Sequence, residues 1–331
     1  MQQTNEVRIL SADDIRQALP MAAAIETMKE AFEALSAGCV TMPARTHVEV
    51  PDSGGTTLFM PSYASRFAKI GVKVVSVFGG NREKGLPVIQ GIVCLLDGET
   101  GRPLAILDGT SLTALRTGAA SGAATDLLAR AEASTVAIIG AGVQGRTQLE
   151  AVCAVRPIRK AWAYDVAQEA AEAFAEEMGT GLSVEITVAP SAREAVREAE
   201  IVCAATVSPR PVFADADVDA GVHINAVGSY KPEVQEIPAE TVLRGLVVVD
   251  HRESALAETG DLIIPIRQGQ MRETDIHAEL GEIIAGDAVG RTSESEVTLF
   301  KSVGVAIQDL AAGARVLERA RAQNLGQMAQ L

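Results

Sequence analysis

Apolar residues at Ile25, Met28, Phe32 and Leu35 recur at helical spacing in MAAAIETMKEAFEALSAG, which predicts a helix whose buried stripe ends at Gly38, a C-cap residue. Ser-Ala-Asp-Asp at residues 11–14 predicts an earlier helix start, broken at Pro20. From Val40 to Asp108 the texture changes to short β-like runs, THVEV, TTLFM and KIGVKVVSVF, then PVIQGIVCLLD and RPLAILD joined by Gly-Glu-Thr-Gly. Such runs predict an antiparallel or mixed sheet. TSLTALRTGAASGAATDLLA then predicts a helix for close packing, with small residues at Ala114, Gly118, Ser121, Gly122 and Thr125. Beyond Thr135 apolar runs alternate with helical stretches: strand 135–140, helix 143–155, then KAWAYD, AQEAAEAFAEEM, VEITVA, AREAVREA, IVCAAT, HINAVGS and LVVVD. That alternation predicts a parallel sheet with right-handed crossovers, hence an α/β, doubly wound domain of Rossmann type. VTLFKSVGVAIQDLAAGARVLERARAQ is read as one long closing helix.

At 331 residues the chain is long for one compact domain, and two domains serving one active cleft are expected. The formal net charge of −14 argues against nucleic acid and anionic membranes as partners. Cys39, Cys94, Cys153 and Cys203 stand singly in apolar runs and read as buried thiols of a reducing compartment. His47, His223, His251 and His277 are too dispersed for metal-ligand spacing, so no metal is expected. No run approaches the ~20 apolar residues of a membrane span, and MQQTNEVRIL lacks the pattern of a secretory signal. A cytoplasmic location is the expectation.

TVAIIGAGVQGRTQLEA carries G-x-G-x-x-G at Gly140, Gly142 and Gly145, between a strand and a helix. Val143 and Gln144 open that helix, whose free N–H groups suit a pyrophosphate. Asp165 closes the next strand, where an acid accepts hydrogen bonds from ribose hydroxyls and repels a 2′-phosphate; a solvated turn acid is the plainer alternative. NADH is therefore favoured, with NADPH left open because Arg146 lies near. By position, Thr206 in the loop to Pro211 and Val227 in the Asn225–Ser229 segment rim the same crevice.

Hydride transfer also needs a surface that holds the substrate, and the N-terminal third supplies Arg45 in MPARTH, Lys73 in GVKVVS and Arg116 in TALRTGAA. Lys73 and Arg116 sit in apolar or small-residue surroundings where an unpaired charge is costly. Either internal acids or a substrate carboxylate must answer them, and three cations in an acidic chain favour the carboxylate. Asp108, in LDGT, reads as the cap of the next helix rather than a catalytic acid.

The stretches MPARTH, GVKVVSVFGGNREKGLPVIQG, LLDGETGRPLAILDGTSLTALRTGAAS, IGAGVQGRTQLEA, INAVGS and FKSVGVAIQDLAA resemble, in order and spacing, the ornithine cyclodeaminase/mu-crystallin family. The resemblance implies a homodimer in which residues 1–120 and 305–331 form an α+β substrate-binding and dimerisation domain and residues 121–304 form the NAD-binding domain. It places substrate-carboxylate binding on Arg45, Lys73 and Arg116, with catalytic duty on Lys73 and Arg116, and brings Lys301 and Ser302 to the nicotinamide end, though helix capping is an alternative role for Ser302. Where cyclodeaminases and the related alanine dehydrogenases carry an acid after INAVG, this chain has Tyr230. A phenol is a poor base at neutral pH, so the resemblance points to the ketimine reductases, with Δ1-pyrroline-2-carboxylate or Δ1-piperideine-2-carboxylate as substrate. Tyr230 then lines the substrate pocket or is a structural aromatic. Glu233 and Glu236 are candidates to replace the missing acid, which would restore alanine dehydrogenation or ornithine cyclodeamination; a non-catalytic nucleotide- and carboxylate-binding protein is the alternative of another class.

Overall fold

The computed structural model describes residues 6–331 as two compact units. The first comprises the residues up to Arg116 together with Val305–Leu331; the second is Thr117–Gly304. The chain crosses from one to the other after Arg116, inside the helix Gly109–Leu128, four residues before the expected boundary.

The first unit is built on strands β1 (Glu6–Leu10), β2 (Val40–Thr41), β3 (Thr46–Val50), β4 (Gly55–Ala64), β5 (Lys69–Phe78), β6 (Ile89–Asp97) and β7 (Pro103–Asp108). They order as β1-β7-β6-β5-β4-β2, with β3 also on β4 and the C-terminal strand Gln327–Gln330 on β1. Only β1 and β7 run parallel, so the sheet is mixed. Period-two patterning gives it two unlike faces. One carries Met60, Ser62, Lys73, Val93 and Leu95 and receives the C-terminal helix Ala306–Gln323. Gly71 admits that helix closely, since a Cβ there would stand 3.1 Å from Leu310, and Ser62 donates to the Ala306 carbonyl at 3.1 Å. On the opposite face, cross-strand register aligns Phe59, Val74 and Ile92, then Pro61, Val72 and Cys94, then Tyr63, Ile70 and Leu96. Phe59, Tyr63 and Ile92 there are exposed, as is Val48 on β3.

The helix Met21–Ser36 buries Ile25, Met28, Phe32 and Leu35, and Gly38 follows it at φ +69°. Ser11 and Asp14 form a capping box on the helix Ala12–Ala18.

In the second unit β8 (Thr135–Ile139), β9 (Lys160–Tyr164), β10 (Glu185–Val188), β11 (Ile201–Ala204), β12 (His223–Ala226), β13 (Leu246–Val249), β14 (Ala278–Glu279) and β15 (Thr298–Lys301) order as β10-β9-β8-β11-β12-β15-β13-β14. Every pairing is parallel. The winding reverses between β8 and β11, where open α/β sheets bind their ligands. Gly118 lets the helix Gly109–Leu128 meet the helix Val143–Val155, because a Cβ there would lie 2.5 Å from the Thr147 carbonyl oxygen.

The single closing helix expected over residues 297–323 is corrected. Thr298–Lys301 is a fully buried strand between β12 and β13, and the helix starts only at Ala306. A short apolar run buried on both faces has no period to separate strand from helix. Asp250 accepts from Ser302 Oγ and from the Val303 and Gly304 N–H groups at 2.8–2.9 Å, and Gly304 takes φ +77°. These bonds hold a turn where a continuous helix was expected. The cysteine reading also needs correction: Cys203 is buried, but Cys94 and Cys153 are half-buried and Cys39 is exposed. No helix among the described residues is long and apolar enough to cross a membrane.

Candidate active site

Each unit carries its own cluster of polar groups. In the first, Lys73 points from the central strand β5 toward the first turn of the helix Ala306–Gln323 and meets Asp309, its Nζ 2.8 Å from Oδ2. Arg116 Nε donates to Asp309 Oδ1 at 3.1 Å, and its Nη1 donates to Gln308 Oε1 at 3.0 Å. Lys73, Arg116 and Asp309 are all at least 95% buried. Two cations thus share one carboxylate, leaving an excess positive charge in a medium where charge is expensive to isolate. Arg45, half-buried, adds its field at Lys73. Burial and the neighbouring Arg116 charge bring the Lys73 ammonium down to about 7, against the opposing pull of Asp309. Burial pushes Asp309 up, but Arg116 and Lys73 outweigh it and hold the carboxyl below its usual range. Gln308 Oε1 accepts from both Arg116 and the Val305 N–H, while its Nε2, fully buried, has no hydrogen-bond partner.

Asp309 and Gln308 escaped the sequence reading. The available signal was two adjacent polar residues in the otherwise apolar VAIQDLAA. Lys69, four residues before Lys73, donates instead to the Phe67 carbonyl. Asp108 caps the helix that follows it, accepting from the Ser111 N–H at 2.6 Å.

In the second unit the glycine turn leaves the carboxyl end of β8. Gly140 adopts φ +101°, and a Cβ there would stand 2.6 Å from the Ala205 carbonyl oxygen. At Gly145 it would lie 2.2 Å from the Gly140 oxygen, whereas at Gly142 nothing lies within 4 Å. Two glycines are therefore required by the protein's own packing, and the third opens a space beside an N-terminus with no side-chain cap, at Val143 and Gln144. That opening fits the approach of a pyrophosphate to backbone N–H groups. Asp165 accepts from the Ala141 and Ala167 N–H groups at 2.9 and 3.0 Å, anchoring the turn to the end of β9. Arg146 is committed elsewhere: it pairs with Glu177 at 2.8 Å, donates to the Ala141 and Gly142 carbonyls and lies over Phe174. Val143, Val166 and Val207, following β8, β9 and β11, are strongly exposed.

Thr206 and the segment at Val227 are joined by a residue considered above only as a substitute acid. Glu236 Oε1 accepts from Thr206 N and Oγ1 at 2.6 and 2.7 Å, and Oε2 accepts from the Gly228 N–H at 2.9 Å. The side chain is fully buried, and burial raises its carboxyl to about 7 despite the pull of Lys301. Its three hydrogen bonds occupy both oxygens of that carboxylate, while Glu233 and Tyr230 are exposed. Lys301 is buried against Asp261 at 2.8 Å, and the Ser302 hydroxyl is committed to Asp250. Among the described residues no group of His, Cys, Asp and Glu is placed to hold a metal ion.

An all-parallel, doubly wound sheet with its glycine turn at the winding reversal, in a chain that also buries a cation cluster, defines a dinucleotide-dependent oxidoreductase. The chain belongs to the ornithine cyclodeaminase/mu-crystallin family, whose model matches residues 5–324. It is 42% identical over 320 residues to a Δ1-pyrroline-2-carboxylate reductase of Bacillus cereus, covering 96% of this chain and 98% of that one. Among solved structures it is similar to the Thermococcus litoralis Δ1-pyrroline-2-carboxylate reductase in complex with NADH and L-proline, with TM-score 0.94, 44% identity and 97% and 99% of the two chains covered. An archaeal alanine dehydrogenase dimer with bound NAD is similar at TM-score 0.92 and 36% identity, over 98% and 99% of the chains.

Proposed function

We propose that this protein is an NADH-dependent ketimine reductase that converts Δ1-pyrroline-2-carboxylate, or its six-membered homologue Δ1-piperideine-2-carboxylate, to the cyclic amino acid. The observation that carries the reading is the sharing of Asp309 by Lys73 and Arg116 beside the unpartnered Gln308 Nε2. An excess buried cation with an idle donor suits an organic carboxylate, which neutralises the first and accepts from the second. The relatives named for imine reduction and the proline in the Thermococcus litoralis complex support the substrate class.

Arg116, Lys73 and Arg45 hold the substrate carboxylate, and Asp309 and Gln308 orient Arg116. Bound NADH supplies the hydride. The turn at Gly140–Gly145 and the N–H groups at Val143 and Gln144 bind its pyrophosphate, and Asp165 accepts from its adenosine ribose. Arg146 is held by Glu177 and the Asp165 carboxylate would repel a 2′-phosphate, which supports NADH over NADPH. The imine arrives carrying the proton that makes its carbon electrophilic, so the chain needs no base at Tyr230. Turnover decides the reading. NADH is expected to be consumed stoichiometrically with the five- or six-membered ketimine, and more slowly with NADPH in its place. Inertness toward both imines, with ammonia released from ornithine or NAD reduced with alanine, would replace it.

The apolar face formed by Phe59, Ile92, Tyr63 and their neighbours on β4, β5 and β6 supports homodimerisation through the first unit. Sedimentation is expected to give twice the chain mass for the native protein and a monomer for Ile92→Lys with Phe59→Asp. A native monomer, or a double variant still dimeric, would refute this assignment.

A further inference from the structure

The Glu236 carboxylate joins two loops that leave adjacent parallel strands: Thr206 after β11 and Gly228 after β12. Its three accepted bonds are short, and the fit leaves no slack. A Cβ on Gly228 would lie 2.3 Å from the Thr206 carbonyl oxygen and 2.4 Å from Glu236 Oε2. The backbone under Glu236 is held in turn, because the Glu236 and Ile237 N–H groups both donate to Asp261 Oδ1, at 2.6 and 3.0 Å. The charged groups facing the carboxylate are Asp261, from the helix Gly260–Arg267, and Lys301 at the end of β15, which pair with each other at 2.8 Å and are wholly buried. Both loops lie at the carboxyl end of the sheet: β11 adjoins β8, the strand that carries the glycine turn, and β12 adjoins β11.

We propose that Glu236 is a positioning residue for the dinucleotide: its ionised carboxylate clamps the Thr206 and Gly228 loops in the arrangement that receives the cofactor, without touching the reacting atoms. The proposal rests on the reading of the second unit as the NADH-binding unit. A clamp of this kind depends on charge. The ionised form accepts all three bonds with the help of its charge; protonation removes that charge, weakens the two N–H bonds and turns the Thr206 hydroxyl from donor to acceptor. Burial places that change near neutral pH, since the carboxyl titrates at about 7. The clamp is therefore complete above that value and loosens below it. Substitution by glutamine keeps the volume but turns an amide NH2 toward either Gly228 or Thr206, donor against donor.

The test is direct NADH binding by the whole protein, followed by nicotinamide fluorescence without imine, so that Lys73 does not enter. Native affinity is expected to weaken as pH falls from about 8 to about 6. Glu236→Gln is expected to bind NADH about tenfold more weakly at the upper pH, with no such pH dependence. Glu200→Gln is the control. That acid accepts from Ser134 N and Thr135 Oγ1 at the amino end of β8, away from the proposed cofactor loops. It is expected to lower Tm without changing NADH affinity. Equal NADH affinity in Glu236→Gln and the native protein, the same pH dependence in both, or equal weakening by Glu200→Gln would overturn the proposal. Should Glu236→Gln fail to fold, Glu236→Asp takes its place: it keeps the charge but is one methylene too short to reach both loops, and unchanged NADH affinity in it would equally overturn the proposal. A native protein that binds no NADH would remove the dinucleotide reading and this proposal together.

Discussion

Arg116→Ala is expected to raise the KM for the ketimine by about 100-fold or more while leaving NADH affinity unchanged. Truncating one member of a buried, hydrogen-bonded charge pair costs about 2–5 kcal/mol, and each ~1.4 kcal/mol is a factor of ten. Arg116 is 5% exposed and its Nε and Nη1 bonds fix its orientation, so alanine removes a positioned donor rather than a mobile surface charge. Steady-state kinetics with the imine and a separate NADH titration read the two quantities. Loss of NADH affinity alongside the imine would mean that Arg116 supports the fold and does not hold the substrate. Lys at this position is expected to rescue only in part, because a point charge cannot reproduce the separate bonds to Asp309 and Gln308.

Asp309→Asn is expected to cost about 3–5 kcal/mol of folding stability at neutral pH, read by denaturant unfolding. It leaves Lys73 and Arg116 buried without their anion. L-Proline, whose carboxylate replaces the missing charge, should raise the variant's Tm more than that of the native protein; an equal rise would show that the ligand does not reach these cations. The pH signs follow from the two shifts. Asp309, with a lowered folded pKa, contributes stability at pH values above the ordinary carboxyl range and loses it as pH falls through the folded value. Lys73 is held at about 7, below its ordinary 10.5, so the unfolded chain keeps the proton longer and the fold gains stability as pH rises through that window. Substrate capture runs the other way. As Lys73 loses its proton above about 7, the ketimine kcat/KM should fall while the unfolding midpoint does not.

The most legible feature was local. Gly140, Gly142 and Gly145 lie within six residues, with the strand before them and the helix after them visible in the apolar pattern, because the backbone conformation there is set by near neighbours. The small-residue helix at Gly118 was legible for the same reason: close packing needs small side chains whatever the partner. Thr298–Lys301 was not legible as a strand, because an apolar run buried on both faces carries no period and its place between β12 and β13 comes from strands distant along the chain. The surroundings of Glu236 were not legible, since the donors that enclose it lie on two other loops.

By itself the sequence determined the parallel dinucleotide unit, a sheet before it, and the presence of three cations, two of them, Lys73 and Arg116, in surroundings that would not tolerate them alone. Only the tertiary structure decided how those cations are answered. Arg116 finds Asp309 193 residues further along the chain, and that one carboxylate is shared with Lys73. Local patterning reports which groups are buried, because burial follows from the neighbours' polarity. Charge balance is a sum over residues that the fold brings together from distant positions, and no window along the chain contains its terms.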